Sequence, residues 1–320
     1  MPEIIVYSIP VPIRFRGLTR RQGVLWRGPA GWAEWSPFAE YGADQAATWL
    51  LAAREAAEQG YPPPLRHAVE VNATIPATDP ATAHRLTAQS GCRTAKVKVA
   101  EPGQSLADDL ARVEAVRDAL GPAGAIRVDA NGGWDLDQAE RALGQLARFD
   151  LEYAEQPCAC VEDLASLRRR VARRGVRIAA DESIRRAEDP YLVKRLEAAD
   201  VAVLKVQPLG GVRACLRLAE DLAMDVVVSS AVETSVGLAA GIALAAALPE
   251  LKYACGLNTA PLLAADVVAD PLVAVDGLIA VRPVRPDPAL VEQARADQVT
   301  AAAWSRRLAD CEAYLGGRDG

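Results

Sequence analysis

The sequence predicts an α/β protein, a (β/α)8 barrel of the TIM type with a small α+β capping domain. Three observations lead to this fold class. Residues 1–37 alternate apolar and polar, strand-like runs alternate with helical stretches after residue 64, and single acids recur every 26 residues at Asp129, Glu155 and Asp181. An interval of that length fits one strand and one crossover helix. A chain of 320 residues, 51% of them hydrophobic, is long enough for both parts.

The capping domain is predicted at residues 1–64. Its first half has the alternation and turn signals of an antiparallel meander, and residues 44–59 have the pattern of a helix. Three prolines at 62–64 form a stiff linker, which marks the domain boundary. From about residue 282 the chain becomes proline-rich and then helical. Residues 283–320 are therefore predicted to return and complete the cap, which leaves residues 65–282 for the barrel.

Eight strands are predicted for the barrel, since β-branched and apolar runs recur between helical segments. They lie at residues 68–72, 94–99, 125–130, 151–155, 177–181, 201–206, 225–229 and 251–256. The longest apolar stretch, residues 236–248, is too short to span a bilayer. It is predicted to be a buried helix that ends at Pro249. Eight parallel strands close most simply as a barrel.

Charge and composition exclude several classes of function. The net charge of −6 and the pI near 5.2 argue against a nucleic-acid surface, so the arginines at 168–170, 173 and 174 are interpreted as a solvated helix face. The first residues lack the basic and apolar regions of a signal peptide. The six cysteines show neither a zinc spacing nor a disulfide framework. We therefore expect a cytoplasmic protein with no nucleic-acid partner and no membrane association.

The three recurring acids form the first candidate site. Asp129, Glu155 and Asp181 each stand where a parallel strand is predicted to end. The carboxyl ends of neighbouring strands meet on one rim of a barrel, where barrel enzymes place their active sites. Carboxylate oxygens are the hard ligands that Mg²⁺ prefers. These acids are therefore predicted to bind Mg²⁺, with Mn²⁺ as the alternative ion.

Three lysines form the second candidate site. Lys96 and Lys98 are two residues apart on the second strand, so both point to the same side and into the barrel. Lys205 ends the sixth strand, which lies opposite the second on a closed barrel. Buried ammonium groups are costly unless they are paired or used in chemistry. One amine on each side of a metal-bound carboxylate suits removal of the neighbouring proton, because a divalent ion stabilises the resulting ene-diolate.

Five motifs occur in order at the spacing of barrel strands: Lys96-Val97-Lys98, Asp129-Ala130-Asn131, Glu155-Gln156-Pro157, Asp181-Glu182-Ser183 and Lys205 with Gly210-Gly211. This set resembles that of the enolase superfamily, in its muconate-lactonizing subgroup. The resemblance implies Mg²⁺ on the three acids, Lys98 as the general acid/base and Lys205 facing it across the substrate. It also implies that Lys96 neutralises charge near the substrate carboxylate. Asn131 and Glu182 would orient the groups that touch metal and substrate.

Further segments narrow the resemblance within the superfamily. The sequences of residues 71–76, 229–237 and 256–259 resemble those of the o-succinylbenzoate synthase family. Members of this family are dehydratases of the menaquinone pathway. This similarity implies a small-molecule carboxylate as the substrate. Ser229, Ser230 and Glu233 are then the candidates for binding that substrate or supporting its site. No expectation about the oligomeric state follows.

Alternative functions stay open at this point. In the dehydratase, Lys98 would remove the α-proton and then protonate the departing hydroxyl, while Lys205 stabilises the enolate as a cation. An N-succinylamino acid racemase or related epimerase would use the same two lysines on opposite faces of its substrate. A barrel without catalysis is the alternative from another class, and the presence of Lys98, Lys205 and all three acids argues against it. His67 and His84 are interpreted as structural, and residues 16–23 are the candidate lid.

Overall fold

The structure, a computed structural model, describes residues 4–15, 17–187 and 189–317. A three-stranded antiparallel sheet and a helix come first and form a cap. A barrel of parallel strands with helices on its outside follows, and the last helices return to the cap. The fold class predicted from the sequence is confirmed.

The cap is built on three antiparallel strands and one helix: β1 (Ile4–Phe15), β2 (Leu18–Arg27), β3 (Trp32–Trp35) and α1 (Ala43–Glu58). Alanines on the inner face of α1 allow it to approach β3 closely, and the Trp35 indole donates a hydrogen bond to the Ala46 carbonyl oxygen (3.0 Å). Of the predicted lid, Arg16 lies outside the described residues, and residues 18–23 belong to β2. That part of the candidate lid is a strand paired with β1.

The barrel has eight parallel strands, which are short and largely buried on both faces, as parallel strands usually are. They are β4 (Ala68–Ile75), β5 (Thr94–Lys98), β6 (Ala125–Asp129), β7 (Leu151–Glu155), β8 (Ile178–Ala180), β9 (Val201–Leu204), β10 (Asp225–Val228) and β11 (Cys255–Asn258). Strands β4 to β10 are paired in sequence order, and β11 pairs with β4. A bridge between Ser229 and Gly256 links β10 to β11, so the barrel is nearly closed.

Each predicted barrel strand has a counterpart, although some boundaries differ. The last one begins at Cys255 rather than at residue 251, and Tyr253, two residues before it, packs edge-to-face on Tyr153 (5.8 Å between ring centroids). A further strand, β12 (Leu278–Ala280), pairs antiparallel with β4 and was not predicted. Three residues are too few to give an alternation signal.

Helices alternate with the barrel strands. In chain order they are α2 (Pro80–Gln89), α3 (Leu106–Leu120), α4 (Leu136–Leu146), α5 (Val161–Val171), α6 (Glu182–Arg185), α7 (Leu192–Arg195), α8 (Val212–Leu222) and α9 (Ser235–Ala247). Capping boxes fix where α3 and α4 begin, at Ser105 and Asp135. Helix α9 is buried along most of its length, as its apolar sequence predicts.

Two C-terminal helices, α10 (Pro288–Ala294) and α11 (Gln298–Gly316), return to the cap. Trp304 of α11 packs edge-to-face on Trp35, with 5.4 Å between the ring centroids. The Arg307 guanidinium donates hydrogen bonds to the carbonyl oxygens of Phe38 (2.6 Å) and Tyr41 (2.9 Å). The end of the chain therefore supports the cap segment that lies nearest the barrel rim.

A buried carboxylate joins the cap to the barrel. Glu34 on β3 accepts hydrogen bonds from the hydroxyls of Tyr7 (2.8 Å) and Ser36 (2.7 Å) within the cap. It also accepts from the amides of Thr234 (3.2 Å) and Gly237 (3.1 Å) at the start of α9. Burial raises the pKa of Glu34 to about 7, and the neighbouring donors offset this only in part.

Replacing Glu34 with glutamine should make stability less dependent on pH. The native protein keeps the Glu34 proton up to about pH 7, whereas the unfolded chain releases it near pH 4.5, so native stability falls as the pH rises between these values. This group alone should lower the free energy of unfolding by about 3 kcal/mol over that window. Urea unfolding at both ends of the window measures the change. Glu58→Gln, on the exposed end of α1, is the control; an equal pH dependence in E34Q and the native protein would contradict the prediction.

Candidate active site

The three predicted acids lie side by side at the carboxyl ends of β6, β7 and β8. Asp129 and Glu155 are the last residues of their strands and are register partners in the parallel pair of β6 and β7. Asp181 follows the last residue of β8. All three are buried. Parallel strands thus bring together acids that are far apart in the sequence, on the rim where a barrel places its active site.

Positive side chains pair with each of these acids. Lys96 Nζ lies 2.8 Å from Glu155 Oε1 and 3.3 Å from Asp129 Oδ2, and Lys205 Nζ lies 2.6 Å from Asp181 Oδ2. Burial alone would lower the pKa of Lys96, but the two carboxylates beside it hold that pKa above its usual range. Burial would raise the pKa of Asp129, but the nearby lysines hold it below its usual range. The acids and lysines therefore form one buried cluster of ion pairs.

Arg185 belongs to this cluster and was not predicted from the sequence. Its Nε donates to Asp181 Oδ1 (2.7 Å), its Nη1 donates to the Tyr41 hydroxyl (2.7 Å), and its Nη2 donates to Glu182. Burial would raise the pKa of Asp181, but Arg185 and Lys205 hold it below its usual range. Tyr41 belongs to the cap, so Arg185 connects the cap to an acid of the site. The sequence signal that could have indicated this pairing is the position of Arg185, four residues and about one helical turn after Asp181.

Lys98 is held by a different set of partners. Its Nζ donates to Asn131 Oδ1, and Asn131 Nδ2 donates to Glu182 Oε1 (3.2 Å). Asn131 has a φ of 45°, in the left-handed region that asparagine tolerates better than most residues. Its backbone amide donates to Asp129 Oδ1 (3.0 Å). The Asn131 side chain is thereby fixed against both Lys98 and the acid cluster.

A cavity of about 40 Å³ lies beside these groups. Seven predicted residues line it: Lys96, Lys98, Asp129, Asn131, Lys205, Ser229 and Ser230. The rest of the lining is Phe38, Thr74, Arg185, Ala231, Val232, Gly256 and Thr259. Such a volume holds one or two water molecules.

Four predicted residues do not line the cavity. The carboxylates of Glu155 and Asp181 face the lysines that pair with them, and Glu182 faces Asn131. Glu233 accepts hydrogen bonds from the Ala231 amide (2.7 Å) and from Gln207 Nε2 (3.4 Å). Glu233 is therefore placed to support the loop after β10 rather than to touch a ligand.

The acid cluster fits a divalent cation in its chemistry. Its donors are three carboxylates, and the buried Oε2 of Glu155 has no hydrogen-bond partner in the described part of the chain. Within the described residues, however, no group of three or more Asp, Glu, His or Cys side chains has metal-binding geometry. The Oδ2 atoms of Asp129 and Asp181 face ammonium groups instead. Binding of a divalent ion would exchange part of these ion pairs for metal contacts.

Comparisons with known proteins decide the family. Residues 6–57 match the family described as Enolase N-terminal domain-like, and residues 79–286 match the family described as Enolase C-terminal domain-like. The chain belongs to the enolase superfamily. The family resemblance predicted from the motifs is confirmed. Membership of the enolase superfamily implies a divalent metal, in agreement with the chemistry of the three carboxylates.

Curated members of the enolase superfamily match over nearly the whole chain. A protein of Thermobifida fusca (strain YX) named o-succinylbenzoate synthase is 62% identical over 308 residues, which are 96% of this chain and 95% of that protein. A protein of the same name from Mycolicibacterium smegmatis (strain ATCC 700084 / mc(2)155) is 52% identical over 317 residues, 98% of this chain and 97% of that protein. The expectation of an enzyme of the o-succinylbenzoate synthase kind is confirmed by these matches.

Solved enolase superfamily structures share the fold. The muconate lactonizing enzyme from Pseudomonas fluorescens, complexed with muconolactone, has a TM-score of 0.78 and 23% identity, covering 92% of this chain and 98% of its own. The N-succinyl Arg/Lys racemase from Bacillus cereus ATCC 14579 has a TM-score of 0.76 and 19% identity, covering 92% and 97%. At these identities the likeness concerns the fold alone.

Among the described residues, no helix combines the length and apolar character needed to cross a membrane.

Proposed function

We propose that the protein is an Mg²⁺-dependent dehydratase, an o-succinylbenzoate synthase that acts in menaquinone biosynthesis. One observation carries this proposal. Lys98 and Lys205 line the same cavity beside three adjoining carboxylates, in a chain 62% identical to a relative of that name. The substrate would be a cyclohexadiene dicarboxylate with a hydroxyl group, from which one water molecule is eliminated. The enzyme is then a carbon–oxygen lyase.

Asp129, Glu155 and Asp181 would hold the metal ion. When bound, Mg²⁺, or Mn²⁺ as the alternative ion, would supply positive charge that stabilises the ene-diolate form of the substrate carboxylate. Lys96 pairs with two of these acids, so its charge favours their ionised form against the effect of burial and holds them close together. It also adds positive charge next to the substrate carboxylate.

Lys98 is proposed as the group that moves the proton. Its neutral amine takes a proton from the carbon next to the carboxylate, and the electron pair of that C–H bond forms the ene-diolate. The resulting ammonium group then protonates the departing hydroxyl on the same face, so water is lost and the amine is restored. Lys205, as a cation paired with Asp181, stabilises the negative charge from the other side. Asn131 and its partner Glu182 hold Lys98 for both steps.

The serines that line the cavity are proposed to bind the substrate. Ser229 and Ser230 follow β10, and the Ser230 hydroxyl lies 2.9 Å from that of Thr259. Hydroxyl groups can donate to a carboxylate and accept from a hydroxyl, which are the groups such a substrate presents. Glu233 supports this loop through the Ala231 amide.

The division into two domains is part of the same proposal. We assign residues 1–64 and 283–320 to the capping domain and residues 65–282 to the barrel, a division supported by the separate family matches and by the packing of α11 on the cap. The six cysteines are free thiols, which suits a reducing compartment. We therefore place the activity in the cytoplasm.

The purified protein with Mg²⁺ should rapidly consume the cyclohexadiene dicarboxylate precursor of o-succinylbenzoate. Absorbance of the precursor measures the reaction, EDTA should stop it, and added Mg²⁺ should restore it. Deuterium exchange at the α-carbon of N-succinylamino acids tests the racemase alternative in the same preparation. A protein that binds Mg²⁺, leaves the precursor intact and catalyses only this exchange would rule out the dehydratase.

A further inference from the structure

A buried arginine outside the cavity holds the backbone of Lys98. Arg112 lies on α3, and its side chain is 1% exposed. Its Nη1 donates to the carbonyl oxygen of Lys98 (2.8 Å), and its Nε donates to that of Thr78 (2.8 Å). Its Nη2 donates to Gln104 Oε1. One guanidinium thus joins the loop after β4 and the end of β5 to the loop that leads into α3.

Asp109 completes the arrangement from the same helix. Its Oδ1 accepts from Arg112 Nη1 (2.9 Å), and its Oδ2 accepts from the amide of Ala100 (3.0 Å). Ala100 has a φ of 58°, a left-handed conformation that alanine rarely adopts. The segment from Lys98 to Ala100 is therefore held at the carbonyl of its first residue and at the amide of its last.

The burial of this pair shows what it contributes. Asp109 and Arg112 are 2% and 1% exposed. A buried ion pair often adds little net stability compared with apolar side chains of the same volume, because both charges lose their hydration. What apolar side chains could not provide is the directed hydrogen bonding to the Lys98 carbonyl and the Ala100 amide. The pair therefore fixes the geometry of the backbone from which the Lys98 side chain extends.

We propose that Arg112 and Asp109 are positioning residues that set the location of Lys98 Nζ for proton transfer. This inference rests on the proposed role of Lys98 in the dehydratase. An error of about 1 Å in the placement of a reacting group can cost about 100-fold in rate. Neither residue lines the cavity, so both act through the Lys98 backbone.

Arg112→Met and the milder Arg112→Lys test the proposal against Arg117→Met. Arg117 lies on the same helix and donates to the carbonyl oxygens of Gly121 (2.9 Å), Gly124 (2.6 Å) and Phe149 (2.7 Å), away from the cavity. It is thus a matched control for the loss of arginine–carbonyl hydrogen bonds.

In Arg112→Met, kcat should fall by about 10- to 100-fold with KM changed by less than about threefold. Arg112→Lys keeps one donor and should recover part of the rate. With precursor deuterated at the α-carbon, the isotope effect on kcat should rise in both Arg112 variants, because proton transfer becomes slower. Arg117→Met should lose stability without either change. Folded Arg112 variants with the kcat and isotope effect of the control would overturn the proposal.

Crystal structures of the same variants test the placement without any turnover. We expect Lys98 Nζ to move away from Asn131 Oδ1 in Arg112→Met and to stay in Arg117→Met. An unchanged Lys98 in Arg112→Met would also overturn the proposal. A native protein that shows no turnover would instead contradict the proposed function, so the two failures are distinguishable.

Discussion

Replacing Lys98 with alanine should abolish proton transfer and leave metal binding largely intact. Lys98 Nζ lines the cavity and donates to Asn131 Oδ1, whereas the acids pair with other cations. Positioned acid–base groups contribute about 10²- to 10⁴-fold, and here one group serves both proton transfers, so kcat should fall by at least about 10³-fold. Turnover of the precursor and α-deuterium exchange measure the loss, and calorimetric titration with Mg²⁺ measures the affinity.

Lys194→Ala is the control for this substitution. Lys194 is an exposed lysine on α7 that donates to the Asp221 carbonyl oxygen (2.7 Å). Its removal should leave turnover unchanged. Native activity in Lys98→Ala would show that Lys98 is not the base.

Replacing Glu155 with glutamine should weaken metal binding and abolish activity with it. Glutamine keeps the shape of the side chain but removes its charge. The buried Oε2, for which no described residue provides a hydrogen bond, is then no longer a charged oxygen available to a metal ion. Loss of a residue that only orients a metal ligand typically costs 10- to 100-fold in affinity. Loss of the charge on a direct ligand should exceed about 100-fold in Kd for Mg²⁺, measured by calorimetry.

Glu152→Gln provides a matched comparison on the same strand. Glu152 lies three residues earlier on β7 and pairs with Arg127 rather than with the acid cluster. This variant should change stability without changing the affinity for Mg²⁺. If both variants bind Mg²⁺ as the native protein does, Glu155 is not a metal ligand.

The parts of the site that follow from strand geometry could be predicted from the sequence. Carboxyl ends of parallel strands share one rim, so the acids of β6 to β8 were expected to be neighbours. Side chains two residues apart on a strand share one face, so Lys96 and Lys98 were expected on the same side of β5. The structure places both lysines along the cavity. In each case a local pattern, repeated along the chain, determines the position.

The parts that depend on the docking of the cap could not be predicted. Arg185 and Tyr41 are 144 residues apart, and no local pattern indicates that they form a hydrogen bond. Phe38 reaches the cavity only because the cap packs on the barrel rim. The contacts of Glu233 could not be predicted either. Its motif does not indicate that its carboxylate accepts a hydrogen bond from its own loop. Contacts between domains arise from side-chain shape and burial, which a single sequence does not display.

The return of the last helix to the cap has a consequence for protein synthesis. Trp35 packs on Trp304, and Arg307 of the same helix holds the carbonyl oxygen of Phe38, whose ring lines the cavity. A ribosome that adds 5–20 residues per second needs roughly 15–50 s to make the roughly 270 residues between the two tryptophans. During that interval the cap over the nascent barrel is incomplete, because Trp35 lacks its packing partner. The cap over the cavity is therefore completed only after α11 has been made.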